Sequence, residues 1–139
     1  MTPDPALLAA FSAASYCVQI GRRWHSVRVG QPCPRLDRRL AAAGCQQHWH
    51  FITAWNPDAV PRERPANERD QRDLGDQLAA QGWRCLEAVA RDHAGHWQEP
   101  GAWVLDGDEA LLVTLGRHYR QRALLRGDRG GIPTLLWLA

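Results

Sequence analysis

Apolar and polar positions alternate with two different periods along the chain, and the switches between them mark the elements. "YCVQI" (16–20) and "WHSVRV" (24–29) alternate in steps of two around "GRR", which predicts a β-hairpin. "PRLDRRLAAAG" spaces Leu36, Leu40 and Ala43 as one helical face, with Gly44 as the stop. A strand is expected at 48–55, "HWHFITAW". Residues 57–66, with three prolines, are expected to be a loop without regular structure. "NERDQRDLGDQLAAQG" predicts a helix with Asn67 as N-cap, Asp70 as capping-box partner, Leu74 and Leu78 facing inward and Gly82 at its end. Strands follow at 83–91 and 101–105, separated by the polar turn "DHAGHWQEP". "DGDEALLVTLGRHYR" reads as a further helix, and "RALLR" and "TLLWL" close the chain as two strands. The chain opens on a helix of roughly 5–14, capped by Asp4 with Pro5 in its first position.

Helices that alternate with strands predict an α+β or α/β protein: one domain over 1–139, a mixed β-sheet with helices packed on it. Strand–helix–strand units cross over with one hand. If 48–55 and 83–91 run parallel through the helix from Asn67, Asn56 and the turn 92–99 leave the sheet at one edge. Glu99 stands at the entrance of the returning strand. The helix from Asp108 brings Gln121 to the same place. That edge collects Asn56, Asn67, His93, His96, Glu99 and Gln121, and ligands of open sheets bind beyond strand ends.

Composition narrows the classes. A hydrophobic fraction of 45% and a charged fraction of 23% belong to a folded globular chain, and seven Trp supply material for a core or a cleft. All 17 basic residues are Arg. Guanidinium groups suit phosphate, but GC-rich codon usage raises Arg, Ala, Gly, Pro and Trp together, and a net charge of +2 does not mark a dedicated DNA-binding protein. Four Cys (17, 33, 45, 85) have no zinc spacing and read as reduced thiols of a cytoplasmic protein, with Cys85 in the core. No cofactor fingerprint, P-loop or nucleophile elbow is present, and no run is long enough to span a membrane.

Individual residues suggest chemistry. Pro57 keeps Asn56 out of helical geometry and ends the strand ladder, which presents the Asn56 amide at the rim; the plain alternative is a tight turn. Glu99, between Trp97 and Trp103, has the setting of a carboxyl with a raised pKa, able to act as a general base with His93 or His96 as its orienting partner. The helix start at Asn67, with Arg62 and Arg64 before it, offers an anion site. His48 and His50 share a strand face as metal ligands do, but on this topology they lie at the edge opposite His93 and His96, so no metal is expected.

The segment "ITAWNP", followed by a Pro-rich loop, an Asn-led helix, "GHWQEPGAWVL" and "YRQRALL", resembles a family of short bacterial proteins catalogued only as a domain of unknown function and marked by that I-T-A-W-N-P motif. "LLAAFSAASYCV" is similar to the family's opening, with Phe11 where an aromatic hydroxyl residue is usual. Gly101 stands where a small hydroxyl residue often follows Glu-Pro. The resemblance implies no activity, but it draws attention to Trp55, Asn56, Pro57, Asn67, Glu99 and Gln121.

The expected function is a small cytoplasmic domain that binds a polar small ligand, of a kind that can carry phosphate, at this edge. Glu99 is the catalytic or acceptor group, and Trp55, Asn56, Asn67, Gln121, Arg62 and Arg64 bind. Whether a reaction follows is open. The alternative is a non-catalytic accessory module that binds protein or nucleic acid. The substrate and the oligomeric state are not legible.

Overall fold

The computed structural model describes residues 3–138. Helix α1 (Pro5–Ala13) starts where Asp4 accepts hydrogen bonds from the backbone N–H of Ala6 and Leu7, as its sequence predicts. Strands β1 (Ser15–Ile20) and β2 (Arg23–Val27) form the first hairpin, and α2 (Pro34–Ala42) buries Leu36 and Leu40. Strand β3 (His48–Ile52) leads through a short 3₁₀ turn (Pro57–Ala59) into α3 (Arg64–Ala80). The hairpin β4 (Arg84–Arg91) and β5 (Gln98–Leu105), helix α4 (Glu109–His118) and the hairpin β6 (Ala123–Asp128) and β7 (Thr134–Trp137) complete the chain.

The class is α+β. Seven strands form one sheet in the order β2-β1-β4-β5-β3-β6-β7, and every adjacent pair is antiparallel. The expected parallel pairing of 48–55 with 83–91 is therefore corrected. β3 and β4 do run in the same direction, but β5 lies between them and bonds to both. The β4–β5 hairpin is longer than its sequence suggests, because Gln98, Glu99 and Pro100 pair with Arg91, Ala90 and Val89. The rim survives this change, since it depends on strand direction and not on adjacency.

Helices α3 and α4 cover one face of the sheet, where Ile52, Leu74, Leu78, Val104, Leu112 and Leu124 pack together. The other face holds Tyr16, Val18, Trp49, Phe51 and Trp103 beneath Leu36 and Leu40 of α2. The sheet curls about this second face. The N–H of Gly30, after edge strand β2, donates to Pro133 O, before edge strand β7, at 2.9 Å, and Phe11 of α1 meets Trp137 of β7 at 5.9 Å between ring centroids. Trp49 and Trp103 are 0% exposed and stacked at 4.2 Å. A buried indole removes roughly 200 Å² from water, on the order of 5 kcal/mol each before conformational entropy is subtracted. Glycine makes this stack fit: a Cβ on Gly127 would overlap the Trp49 ring, its cross-strand neighbour.

Three local expectations change. Helix α3 begins at Arg64, just over a turn early, because Pro65 is pre-set for a first helical turn. Asn67 is thus inside the helix and is not its N-cap, and Asp70 is not a capping-box partner. The segment 57–66 is correspondingly more regular than three prolines suggest. Cys85, expected in the core, is exposed.

Candidate functional site

Strand β3 ends at Ile52, and the chain then turns across the ends of its neighbours. The Thr53 hydroxyl donates to Pro100 O at 2.6 Å and accepts from Trp55 N at 3.1 Å, while Ala54 N donates to Gln71 Oε1 at 2.9 Å. Pro57 excludes right-handed helical geometry from its predecessor, and Asn56 takes the left-handed region at φ 48°, ψ 68°, which asparagine tolerates better than most residues. Asp58 and Ala59 also have positive φ, at 60° each, so the turn is strained along its length. It is pinned by Asp58 N donating to Arg120 O at 2.7 Å and by an ion pair between the same two side chains.

That geometry aims Asn56 at two elements at once. Its backbone N–H donates to Asn67 Oδ1 at 2.8 Å, and its Oδ1 accepts from Asn67 Nδ2 at 2.7 Å. Asn56 Oδ1 also accepts from Arg62 N at 3.3 Å, and Asn56 Nδ2 donates to Glu99 Oε1 at 3.2 Å. Asn67, 2% exposed, also accepts from Arg62 Nε at 2.6 Å, and Arg62 Nη2 pairs with Asp70 at 2.7 Å. Gln121 comes from the other side and donates to Trp55 O at 3.1 Å. Trp55, Asn56, Asn67, Arg62, Glu99 and Gln121 are thus gathered at one rim of the sheet.

Glu99 lies on β5, on the curled inner face with Trp97 and Trp103, opposite Ala90. Burial raises its pKa from 4.5 to about 7, against the opposing pull of the Asn56 hydrogen bond. Burial, and then the charge on Glu99, also raises the phenol of Tyr16, whose hydroxyl donates to Phe11 O at 2.8 Å. Beside Glu99 is a cavity of about 40 Å³, walled by Phe11, Tyr16, Phe51, Trp97 and Gln121. On the outer flank of Asn56 opens a cleft of about 340 Å³, bordered by Trp55, Arg62, Arg64, Asn67 and Gln98. Asn56 is common to the cleft and to the Glu99 hydrogen bond, so it stands between solvent and a proton-labile carboxyl.

The remaining candidates do not bond to Asn56 or Glu99. Arg64 is at the surface, paired with Glu68 one helical turn on. Its helix begins behind Glu63, and Asn67 spends its amide on Asn56 and Arg62, so the anion site expected at Asn67 is not formed there. His93 and His96 are exposed in the β4–β5 turn, where His96 approaches Asp92 at 3.5 Å and neither bonds to Glu99. His50 is buried on the opposite face of β3, 2.8 Å from Glu109 Oε1. Burial lowers its pKa more than Glu109 raises it, and Nδ1 has no hydrogen-bond partner. Among the described residues no group of three or more His, Cys, Asp or Glu is arranged to hold a metal ion. None of the described helices is long and apolar enough to cross a membrane.

Thr53, Gln71 and Tyr16 belong to this arrangement and are not among the residues expected from sequence. Gln71 had a signal: Asn67, Gln71, Leu74 and Leu78 fall on one helical face, so the inward stripe of α3 continues into polar residues.

A family model described as protein of unknown function (DUF3293) matches residues 52–124, the span that carries Trp55, Asn56, Arg62, Asn67, Glu99 and Gln121. No curated protein and no solved structure matches the chain. The matched span begins as β3 ends and runs into β6, more than half of the sequence, and on that ground the chain belongs to this family of unknown function.

Proposed function

We propose that the rim around Asn56 binds a small polar molecule, with Glu99 as its proton acceptor or general base and Asn56 and Gln121 as orienting amides. One observation carries the reading: a largely buried carboxyl with a single hydrogen bond and a pKa at about 7, separated from a 340 Å³ cleft by one asparagine side chain. A structural carboxylate is usually either exposed or bonded by several donors, because burying its charge is costly. Glu99 is neither, and groups held near neutrality in this way are the ones that exchange protons with ligands. A cleft of that size accommodates one small molecule.

The arginines refine the ligand class. Arg62 and Arg64 are each already paired with a carboxylate, so a neutral or cationic molecule with an N–H or O–H donor fits better than a phosphate-bearing one. Bacterial origin and a cytoplasmic location remain part of the proposal; four free cysteines support a reducing compartment.

A thermal-shift screen over small amides, amines, amino acids and nucleobases, followed by calorimetric titration of each hit, tests the site. Asn56→Ala and Glu99→Gln are expected to weaken a genuine ligand by tenfold or more, the order of one lost buried hydrogen bond to a charged group. A set of hits that all keep full affinity for both variants ends the proposal.

A further inference from the structure

The arginines are not spread evenly over the molecule. Arg22, Arg23, Arg28, Arg35, Arg38 and Arg39 stand within residues 22–39 with a single acid, Asp37, among them. The other eleven arginines share the chain with fourteen acids. A net charge of +2 therefore conceals a strongly basic segment on an otherwise acidic protein.

Folding concentrates this segment further. Edge strand β2 and helix α2 face each other across a groove of about 720 Å³ bordered by Arg23, Trp24, His25, Arg35, Arg38 and Arg39. A second hollow of about 510 Å³ shares Trp24, His25 and Arg35 and extends the groove along β2 past Arg28 to Gln31. Arg62, Arg64, Arg120 and Arg126 elsewhere each have a carboxylate partner. Arg23, Arg35, Arg38 and Arg39 have none among the described residues. The crowding is felt locally: the pKa of His25 lies below its ordinary value through burial and then through Arg39, Arg23 and Arg35. Trp24, 51% exposed, borders both parts of the groove from edge strand β2. Its register opposite Gln19 turns the indole to the face away from α2, where it also borders a hollow with Cys17, Gln71 and Glu87. A bound strand therefore reaches it by wrapping over the sheet edge.

We propose that the β2–α2 groove binds single-stranded nucleic acid, with Arg23, Arg35, Arg38 and Arg39 on the phosphates and Trp24 stacking on a base. The charge complementarity is with a polyanion, since four arginines without a carboxylate partner along one groove match repeated phosphates. The indole selects the single strand, whose bases have free faces, over a duplex, whose bases are stacked on each other. An anionic membrane fits less well. The groove is concave, and Trp24 is its one exposed large apolar side chain, whereas a membrane-surface element presents a row of them. The proposal is independent of the Asn56 rim.

Fluorescence anisotropy with a labelled oligothymidine and an oligouridine of about ten nucleotides tests it in the full-length protein. Binding is expected at about 50 mM salt. The logarithm of the affinity should fall with the logarithm of salt at a slope of about −3 if four phosphates are engaged on a single strand. Trp24→Ala should weaken binding about tenfold at unchanged slope. Arg38→Ala with Arg39→Ala should flatten the slope by about 1.4. Arg117→Ala, on α4 across the sheet, should change neither by more than the general loss of one distant charge. Circular dichroism of each variant confirms folding, and all the substituted side chains are exposed. The proposal is overturned by absence of binding at low salt, or by a duplex of equal length or vesicles containing phosphatidylserine binding as tightly. Equal binding of heparin together with indifference to Trp24→Ala also overturns it, because then no base is being stacked.

Discussion

Glu99 shows how burial sets the character of a group, with one hydrogen bond, from Asn56, opposing it. In the unfolded chain the Glu99 carboxyl titrates near 4.5, and in the folded chain it titrates at about 7. The folded state holds the proton more tightly. This side chain therefore contributes its full stability below about pH 4.5, and the contribution is lost as pH rises through 7. A shift of this size corresponds to about 3 kcal/mol. Urea unfolding of wild type and Glu99→Gln from pH 4 to pH 8 should give a difference that grows with pH in favour of the variant; a constant difference would show that the carboxyl is not perturbed. Asn56 Nδ2 lowers the Glu99 pKa, so removing it should move the midpoint further up. Asn56→Gly separates this from backbone strain, since glycine accepts φ 48° freely. Carbon-detected NMR of the Glu99 carboxyl should show a higher midpoint in Asn56→Gly than in wild type.

Helix α3 joins the rim to the core. Its buried stripe passes from Leu78 and Leu74 to Asn67, a change from packing to hydrogen bonding along one face. Replacing Asn67 by Leu leaves Asn56 N and Arg62 Nε without their acceptor and takes from Asn56 Oδ1 one of its two donors. Each unsatisfied buried group costs about 1–3 kcal/mol, so a loss of about 2 kcal/mol or more is expected in chemical denaturation. Arg64→Ala on the same helix breaks only an exposed pair and should change stability by less than about 1 kcal/mol. In the sheet, Gly127→Ala forces a methyl group into the Trp49 indole. It should destabilise by about 1–3 kcal/mol, with a change in near-ultraviolet circular dichroism from the disturbed Trp49–Trp103 stack.

The assembled chain is more than the span that its family shares. Residues 52–124 contain β4, β5 and α4, but β3, which lies between β5 and β6, falls almost wholly outside, as does β1, the neighbour of β4. A fragment of 52–124 alone should therefore be unfolded by circular dichroism and amide exchange, because two strands lose their partners and the Trp103 face loses Trp49 and Tyr16. A cooperatively folded fragment would mean that the first fifty residues are an addition to a complete domain.

Much was legible in residue pattern. The order of helices and strands, the Asp4 cap, the inward Leu74 and Leu78 and the α+β class follow from periodicity and turn chemistry, which act over a few neighbouring residues. The direction of β3 relative to β4 was legible too, because the crossover through α3 constrains it. Pairing was not: β5 inserts between those strands through contacts distant in sequence, and no local pattern encodes which strand is the neighbour. For the same reason the role of Asn67 was misread. Its fit to a cap is local, while its two amide bonds to Asn56 come from a turn eleven residues away. The basic groove divides likewise. Six arginines within residues 22–39 are a property of the sequence, but only the packing of α2 against β2 turns them into a charged wall. Short-range propensity chose the elements; long-range burial and hydrogen bonding chose their partners.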